Sequence, residues 1–217
     1  GTKSMENEQY RIELDLYHEC LYDIRQRIDI INAHVHKTIT EKFLIIEVET
    51  VCLQFRKILE SIALLSLIVN KEAYAEQNEK FAKHYHAGRI IKDLERINPD
   101  FYPKPIKRVP KENTYDELVN VTEGYLTKDE FVNIYERCGG MMHARNPFAS
   151  QRTQKELQEL MQLFPVWLSK ICVLLSQHEI KLYGGKLMVV AMLARSDNGF
   201  PQAVIMERID DEEALNK

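Results

Sequence analysis

Cysteine is scarce in this sequence, and the four residues that occur are far apart. None forms a Cys-x-x-Cys pair, and three lie within apolar helical patterns. This distribution favours buried, reduced thiols and argues against a zinc site or a disulfide framework. The four are Cys20, Cys52, Cys138 and Cys172.

Long apolar segments are also missing. The longest apolar run, residues 62–69, contains Ser66 and is far too short to cross a bilayer. The N-terminal region shows no signal-peptide pattern. We therefore expect a cytoplasmic protein that does not enter a membrane.

The sequence has no large excess of either charge, with 29 Lys and Arg against 33 Asp and Glu and a net charge of -4. Its hydrophobic content of 45% is that of an average globular chain and argues against global disorder. Proteins that hold nucleic acid through a broad basic face have the opposite charge balance, so such a function needs a local basic site. One compact basic cluster stands in a proline-rich stretch and predicts either a solvated loop or a contact for an anionic ligand. Its members are Lys104, Lys107, Arg108 and Lys111.

Cofactor and metal signatures are absent from the sequence. It contains neither a GxxxxGK phosphate loop nor a dinucleotide fingerprint after a strand, and we therefore expect no cofactor. His34 with His36, and His84 with His86, have the spacing of candidate metal pairs. Residues two apart point to opposite sides of a helix, so we also expect no metal site.

The helical signal is strong over the first half of the chain. Apolar residues three and four apart predict helices over residues 6–36 and 38–70, of which the second is central and the most buried. Residues 71–97 continue as helix with a break near Gly88. Prolines then make residues 98–113 an extended, non-helical stretch.

Two further helices begin at capping signals. Thr127 is followed three residues later by a glutamate, as in a capping box, and Thr153 is a second cap-like residue. The first helix is expected to run toward Gly139-Gly140, and the second from residue 154 to about residue 178 with a kink at Pro165. These patterns predict a mainly α fold, an elongated bundle of about five to six helices.

The C-terminal region has a different pattern. Residues 187–194 and 202–209 are prone to form strands, and the loop between them contains Asp-Asn-Gly, which favours a chain reversal. Gly184-Gly185 is interpreted as the junction from helix to strand. We expect a helical part over residues 5–178, and a small antiparallel β-hairpin with an acidic tail over residues 179–217, packed on the same domain.

The strongest chemical signal lies in the segment Tyr135–Phe148. Two adjacent glycines interrupt its helical pattern, which is costly unless a bend or a close backbone contact requires them. His143 can transfer protons near neutral pH, and Arg137 or Arg145 can hold a phosphate through two parallel hydrogen bonds. The segment is therefore either a phosphate-handling site or a helix end at which the glycines pack closely.

Arg137-x5-His143 resembles the Arg-x(4–6)-His motif of the HEPN superfamily. These proteins are all-α bundles, commonly dimeric, from toxin–antitoxin, phage-defence and CRISPR-associated systems, and many are metal-independent endoribonucleases. The resemblance implies an RNA substrate and a homodimer with a composite cleft at its two-fold interface. It further implies that Arg137 and His143 are catalytic. His143 would deprotonate the ribose 2′-OH or protonate the leaving oxygen, and Arg137 would support the phosphorane.

Four further residues are assigned to substrate binding. Arg145 and Asn146 follow the motif directly. Arg56 and Glu60, in the second long helix, resemble a polar pair that faces the motif in some relatives. The alternative function is that of a non-catalytic helical module, which would use its long helices and hairpin to dimerise or to bind a partner protein.

Overall fold

The computed structural model describes residues 10–37, 40–77, 86–112, 116–144 and 146–207, and these ranges contain six α-helices and five strands. The helices are α1 (Arg11–Val35), α2 (Leu44–Val69), α3 (Lys71–Gln77), α4 (Ala87–Ile97), α5 (Lys128–Gly139) and α6 (Gln154–Ser176). The strands are β1 (Lys104–Val109), β2 (Glu117–Asn120), β3 (Gln177–Lys181), β4 (Leu187–Met192) and β5 (Gln202–Glu207). A single turn of 3-10 helix, Glu41–Phe43, precedes α2.

Helix α2 lies at the centre of the molecule and contacts each of the five other helices. Its apolar side chains cover most of its circumference, and Phe55 in its middle packs against Phe164 and Trp167 of α6, with ring centroids 5.5 Å apart in each pair. Burial of each such side chain contributes roughly 1.5–3 kcal/mol to stability. The prediction that the second long helix is central is confirmed.

Both predicted capping signals are confirmed. The Thr127 hydroxyl accepts a hydrogen bond from the Glu130 amide at 3.3 Å, and the Thr127 amide donates to the Glu130 carboxylate at 3.1 Å. Thr153 and Glu156 form the same reciprocal pair at the start of α6. A capping side chain of this kind stabilises a helix by about 1 kcal/mol. The first box fixes where α5 begins and therefore where its C-terminal residues lie.

The predicted C-terminal hairpin is present as β4 and β5, but it is part of a larger sheet, so the prediction of a small hairpin alone was wrong. The five strands form one antiparallel sheet in the order β2-β1-β3-β4-β5. Strand β1 contains Pro105, which has no amide hydrogen to donate and usually argues against a strand. Pro105 lies in the last of the two residue pairs between β1 and β3, and its carbonyl accepts a hydrogen bond from the Val121 amide at 2.9 Å. Strand β3 continues directly from α6, where the sequence predicted the end of a helix.

The basic cluster of residues 104–111 lies on β1 and just after it, and the prediction of a loop there was wrong. Three of its four cations face carboxylates. Arg108 pairs with Asp116 at 3.5 Å and Lys111 with Glu117 at 2.8 Å, while Lys104 pairs with Asp100. These pairs reduce the local positive charge available to an anionic ligand.

Of the two glycine-containing turns predicted near the C-terminal strands, the structure confirms one and contradicts the other. Gly184 and Gly185 have φ values of +96° and +81° and connect β3 to β4, so they do not mark a junction between helix and strand. Gly199 has φ +70° in the loop between β4 and β5, as the Asp-Asn-Gly pattern predicted. The predicted boundary between residues 178 and 179 lies inside β3.

One face of the sheet packs on the helices through a buried hydrogen bond as well as apolar contacts. The Tyr17 hydroxyl of α1 lies 2.7 Å from Nε2 of His178 on β3, and both residues are fully buried. The edge of β5 is also covered by α1, because the Ala203 amide donates to Nε2 of His18 at 2.9 Å. A side chain bonded there blocks strand pairing with another chain.

Among the described residues, one helix, α6, is long and apolar enough to cross a membrane, with a mean hydropathy of 1.3. Eight of its residues are buried against the rest of the chain, so it is also a core helix. The part of the predicted helix over residues 78–85 and the predicted acidic tail after residue 207 lie outside the described residues.

Candidate functional site

An open cleft with a volume of about 830 Å³ lies between α2, α4 and α5. Four of its lining side chains are permanently cationic, namely Arg56, Arg89, Lys92 and Arg96. Two histidines, His86 and His143, and two carboxylates, Asp93 and Glu136, line it as well. The cleft is therefore positively charged, although the whole chain has a net charge of -4.

Helix α4 supplies three of the cations from one face. Arg89, Lys92 and Arg96 are spaced by three and four residues, which places them on the same side of a helix. The opposite face is apolar and buried, so the cationic side chains point away from the core. The arginines remain accessible, with 71% and 76% of their side chains exposed.

Asp93 lies between the two arginines of α4 and pairs with both. Its carboxylate is 3.8 Å from Nε of Arg89 and 3.3 Å from Nη2 of Arg96, and it also accepts a hydrogen bond from the Tyr74 hydroxyl at 3.4 Å. Because the carboxylate is only 14% exposed, it orients the guanidinium groups while they stay in solvent. This row of cations on α4 was not predicted from the sequence, although their spacing of three and four residues was an available signal.

Arg56 of α2 is held against α5 by several contacts. Its guanidinium lies 4.0 Å from the centre of the Tyr135 ring, and Nη2 donates to the Tyr135 hydroxyl at 2.8 Å. The hydroxyl in turn donates to Glu60 at 3.4 Å, and Glu60 lies 3.6 Å from Nε of Arg56. Burial raises the pKa of the Tyr135 phenol, and the nearby Glu60 carboxylate raises it further against the opposing effect of Arg56. The phenol therefore stays protonated at neutral pH and can act as a donor.

Gly139 ends α5 beside Arg56. A Cβ at this position would lie 2.5 Å from Nη1 of Arg56, which explains a glycine inside the last helical turn. After Gly139 the chain makes two tight turns, in which the amides of Met141 and Met142 donate to the carbonyls of Cys138 and Gly139 at 3.0 Å. These turns bring His143 to the cleft, where it is exposed.

His86 enters the cleft from the other side. It immediately precedes α4, and its side chain makes no capping hydrogen bond. Its ring makes a T-shaped contact with the Tyr135 ring, with centroids 5.7 Å apart and planes at 80°. The cleft therefore contains two imidazoles from different parts of the chain. His86 immediately precedes α4, and His143 follows α5.

The remaining predicted site residues lie elsewhere or are not described. The guanidinium of Arg137 lies 5.4 Å from the centre of the Trp167 ring, and Arg137 is not among the described residues that line the cleft. Within one chain, Arg137 therefore lies against Trp167, while His143 lines the cleft. The Asn146 side chain accepts a hydrogen bond from the Phe148 amide at 2.9 Å in an exposed turn, and Arg145 lies outside the described residues.

The other histidines of the described ranges have structural partners or lie apart from the cleft. Nδ1 of His34 lies 2.6 Å from the Glu47 carboxylate, and His178 is fully buried. No group of three or more His, Cys, Asp or Glu side chains within the described ranges is placed to hold a metal ion.

Comparisons with known proteins do not assign the site to a family. No family model, curated protein or solved structure matches the chain.

Proposed function

We propose that the chain is a HEPN-like, metal-independent endoribonuclease that binds RNA in the cleft between α2, α4 and α5. The observation that carries the proposal is the separation of charge. An acidic chain gathers four cations and two histidines in one open cleft, where they outnumber the two carboxylates that also line it. RNA is a polyanion, and its backbone binds where cations are concentrated.

Arg56 is the proposed anchor for the scissile phosphate. Its contacts with Tyr135 and Glu60 hold the guanidinium in one orientation before any ligand binds. A guanidinium fixed in this way binds a phosphate with less loss of side-chain entropy than a free one. The three cations of α4 would bind neighbouring phosphates along the strand.

His143 is the proposed acid–base residue at the cleft. It is exposed at the end of the turns that follow α5, where a bound ribose could reach it. Arg137 lies over Trp167 in the same chain, so its proposed catalytic role requires a second copy that presents Arg137 to the cleft. The proposed assembly is therefore a homodimer, and a toxin–antitoxin or phage-defence role belongs to the same proposal.

RNA cleavage by the purified protein tests the proposal. A labelled single-stranded RNA incubated with the wild-type protein should be cut both with and without EDTA. His143→Ala should lose this activity. His36→Ala, which removes an exposed histidine that does not line the cleft, should retain it. Cleavage that persists in His143→Ala, or that stops on chelation, would contradict the proposal.

The second candidate function is a non-catalytic module that dimerises. Four apolar side chains just before α2 and in its first half are exposed, Phe43 by 50%, Ile45 by 39%, Ile46 by 56% and Leu53 by 41%. Exposed apolar groups of this size are typical of contact surfaces. A dimer in solution that becomes monomeric in Ile46→Lys, together with no cleavage of RNA by the wild type, would favour this candidate.

A further inference from the structure

The chemistry of RNA transesterification requires two proton transfers at one phosphate. A base must remove the proton of the 2′-hydroxyl as its oxygen attacks phosphorus, and an acid must protonate the departing 5′-oxygen. One imidazole can perform one of these steps at a time. The cleft holds a second imidazole, His86, that the Arg-x5-His motif does not include.

Contacts connect the two histidines through the proposed phosphate anchor. His86 makes a T-shaped contact with the Tyr135 ring, Tyr135 stacks with Arg56, and Arg56 lies against Gly139. His143 follows Gly139 by four residues and lines the same cleft. The two imidazoles reach the cleft from separate elements, one before α4 and one after α5.

We infer that His86 and His143 of one chain act as a general acid–base pair on the phosphate that Arg56 binds, an inference that rests on the proposed function. One neutral imidazole accepts the 2′-hydroxyl proton while the 2′-oxygen forms its bond to phosphorus. The bond from phosphorus to the 5′-oxygen breaks, and that oxygen takes a proton from the other, protonated imidazole. The products are a 2′,3′-cyclic phosphate and a 5′-hydroxyl. The histidines end with exchanged protonation states, and proton exchange with water restores the starting states.

Tyr135 has a positioning role in this arrangement. Its hydroxyl and its ring are both engaged by Arg56, and its ring contacts His86. It therefore sets the distance between the anchor and one member of the pair without touching the reacting atoms.

A substrate that needs no acid separates the two proton transfers. The probe is a short RNA with a bridging sulfur in place of the 5′-oxygen at the linkage that the wild type cuts, because a thiolate leaves without a proton. On ordinary RNA, His86→Ala and His143→Ala should each lose about 10²-fold or more in rate. On the sulfur-containing RNA, one of the two variants should recover the wild-type rate and the other should stay slow.

Several outcomes decide the matter. Recovery of only one variant supports the pair and identifies its acid. Recovery of both variants, recovery of neither, or wild-type activity of His86→Ala on ordinary RNA overturns it. His86→Gln repeats the test with a side chain that can still contact Tyr135, and His36→Ala serves as the control. If the wild type cuts neither RNA, both the proposed function and this inference are contradicted. If the wild type and His143→Ala behave as expected but His86→Ala does not, only the pair is contradicted and the proposed function stands.

Discussion

Gly139 and Arg56 contact each other so closely that no other residue type fits at position 139 without moving the guanidinium. The distance from a Cβ at Gly139 to Nη1 of Arg56 would be 2.5 Å. The same guanidinium is bonded to Tyr135 and lies beside Glu60. One glycine therefore couples the end of α5 to the orientation of the proposed phosphate anchor.

Gly139→Ala should weaken RNA binding about ten-fold or more, the loss expected when a charged hydrogen bond to phosphate is displaced. Stability should change by no more than about 1 kcal/mol, since alanine favours a helix over glycine. Gly140→Ala is the matched control, because a Cβ there makes only an ordinary contact at 3.5 Å. Fluorescence anisotropy with labelled RNA measures the affinity. In an Arg56→Ala background, Gly139→Ala should have no further effect; an additive loss would contradict the coupling.

Acid should destabilise the fold through His178. Burial lowers the pKa of His178 from 6.5 to about 4, so the folded state resists a proton that the unfolded state accepts. Stability is therefore lost as the pH falls from about 6.5 to about 4, by up to about 3 kcal/mol from this group. Urea unfolding across this pH range measures the loss. His178→Gln should be less stable at neutral pH, but its free energy of unfolding should depend less steeply on pH. His36→Gln should match the wild type. If the free energy of unfolding of His178→Gln changes with pH as steeply as that of the wild type, His178 is not the group responsible.

The thiols should resist alkylation in the folded protein. Burial raises the pKa of Cys20 to about 11, and it also raises the pKa of Cys172. A hydrogen bond with Cys52 and burial raise the pKa of Cys138. Because only the thiolate reacts, iodoacetamide at pH 8 should leave the native chain unmodified, whereas all four cysteines should react in guanidinium. Rapid labelling of Cys138 in the native protein, detected by intact mass, would show that α5 does not pack on α2 as described.

Mixing of inactive variants tests which residues share a chain. Arg137→Ala and His143→Ala should complement each other, because a mixed dimer in which Arg137 acts on the other subunit keeps one complete site. The mixture should regain about a quarter of wild-type cleavage after subunit exchange. His86→Ala mixed with His143→Ala should regain none, since both histidines of a site come from one chain. Complementation in the second mixture would contradict a same-chain pair.

The helices could be predicted because their signals are local. The periodicity of α2 and the reciprocal pairs at Thr127 and Thr153 depend on residues a few positions apart. Strands β1 and β3 were missed because their pairing is not local, and Lys104 and Pro105 of β1 meet Glu179 and His178 far along the chain. A proline within β1 and a direct passage from α6 into β3 hid the remaining signal.

The candidate site was predicted in part. Arg56 and Glu60 contact Tyr135 of α5, and the substrate-binding role that the family resemblance implies for them stays a prediction. The angular spacing of a straight helix does not describe Arg137 and His143, because Arg137 lies on α5 and His143 follows the turns after Gly139. The spacing of Arg89, Lys92 and Arg96 marks one face of a helix, but only the packing of α4 beside α2 brings that face to the cleft.

The salt dependence of RNA affinity tests most directly whether the cleft is the RNA site. For Arg89→Ala combined with Arg96→Ala, the slope of log affinity against log salt should shrink by about 1.4, because each cation that neutralises a phosphate of a single strand contributes about 0.7 to the slope. Lys155→Ala combined with Lys186→Ala removes two exposed cations outside the cleft and should leave the slope unchanged. Equal slopes for the cleft variant and the wild type would contradict the account.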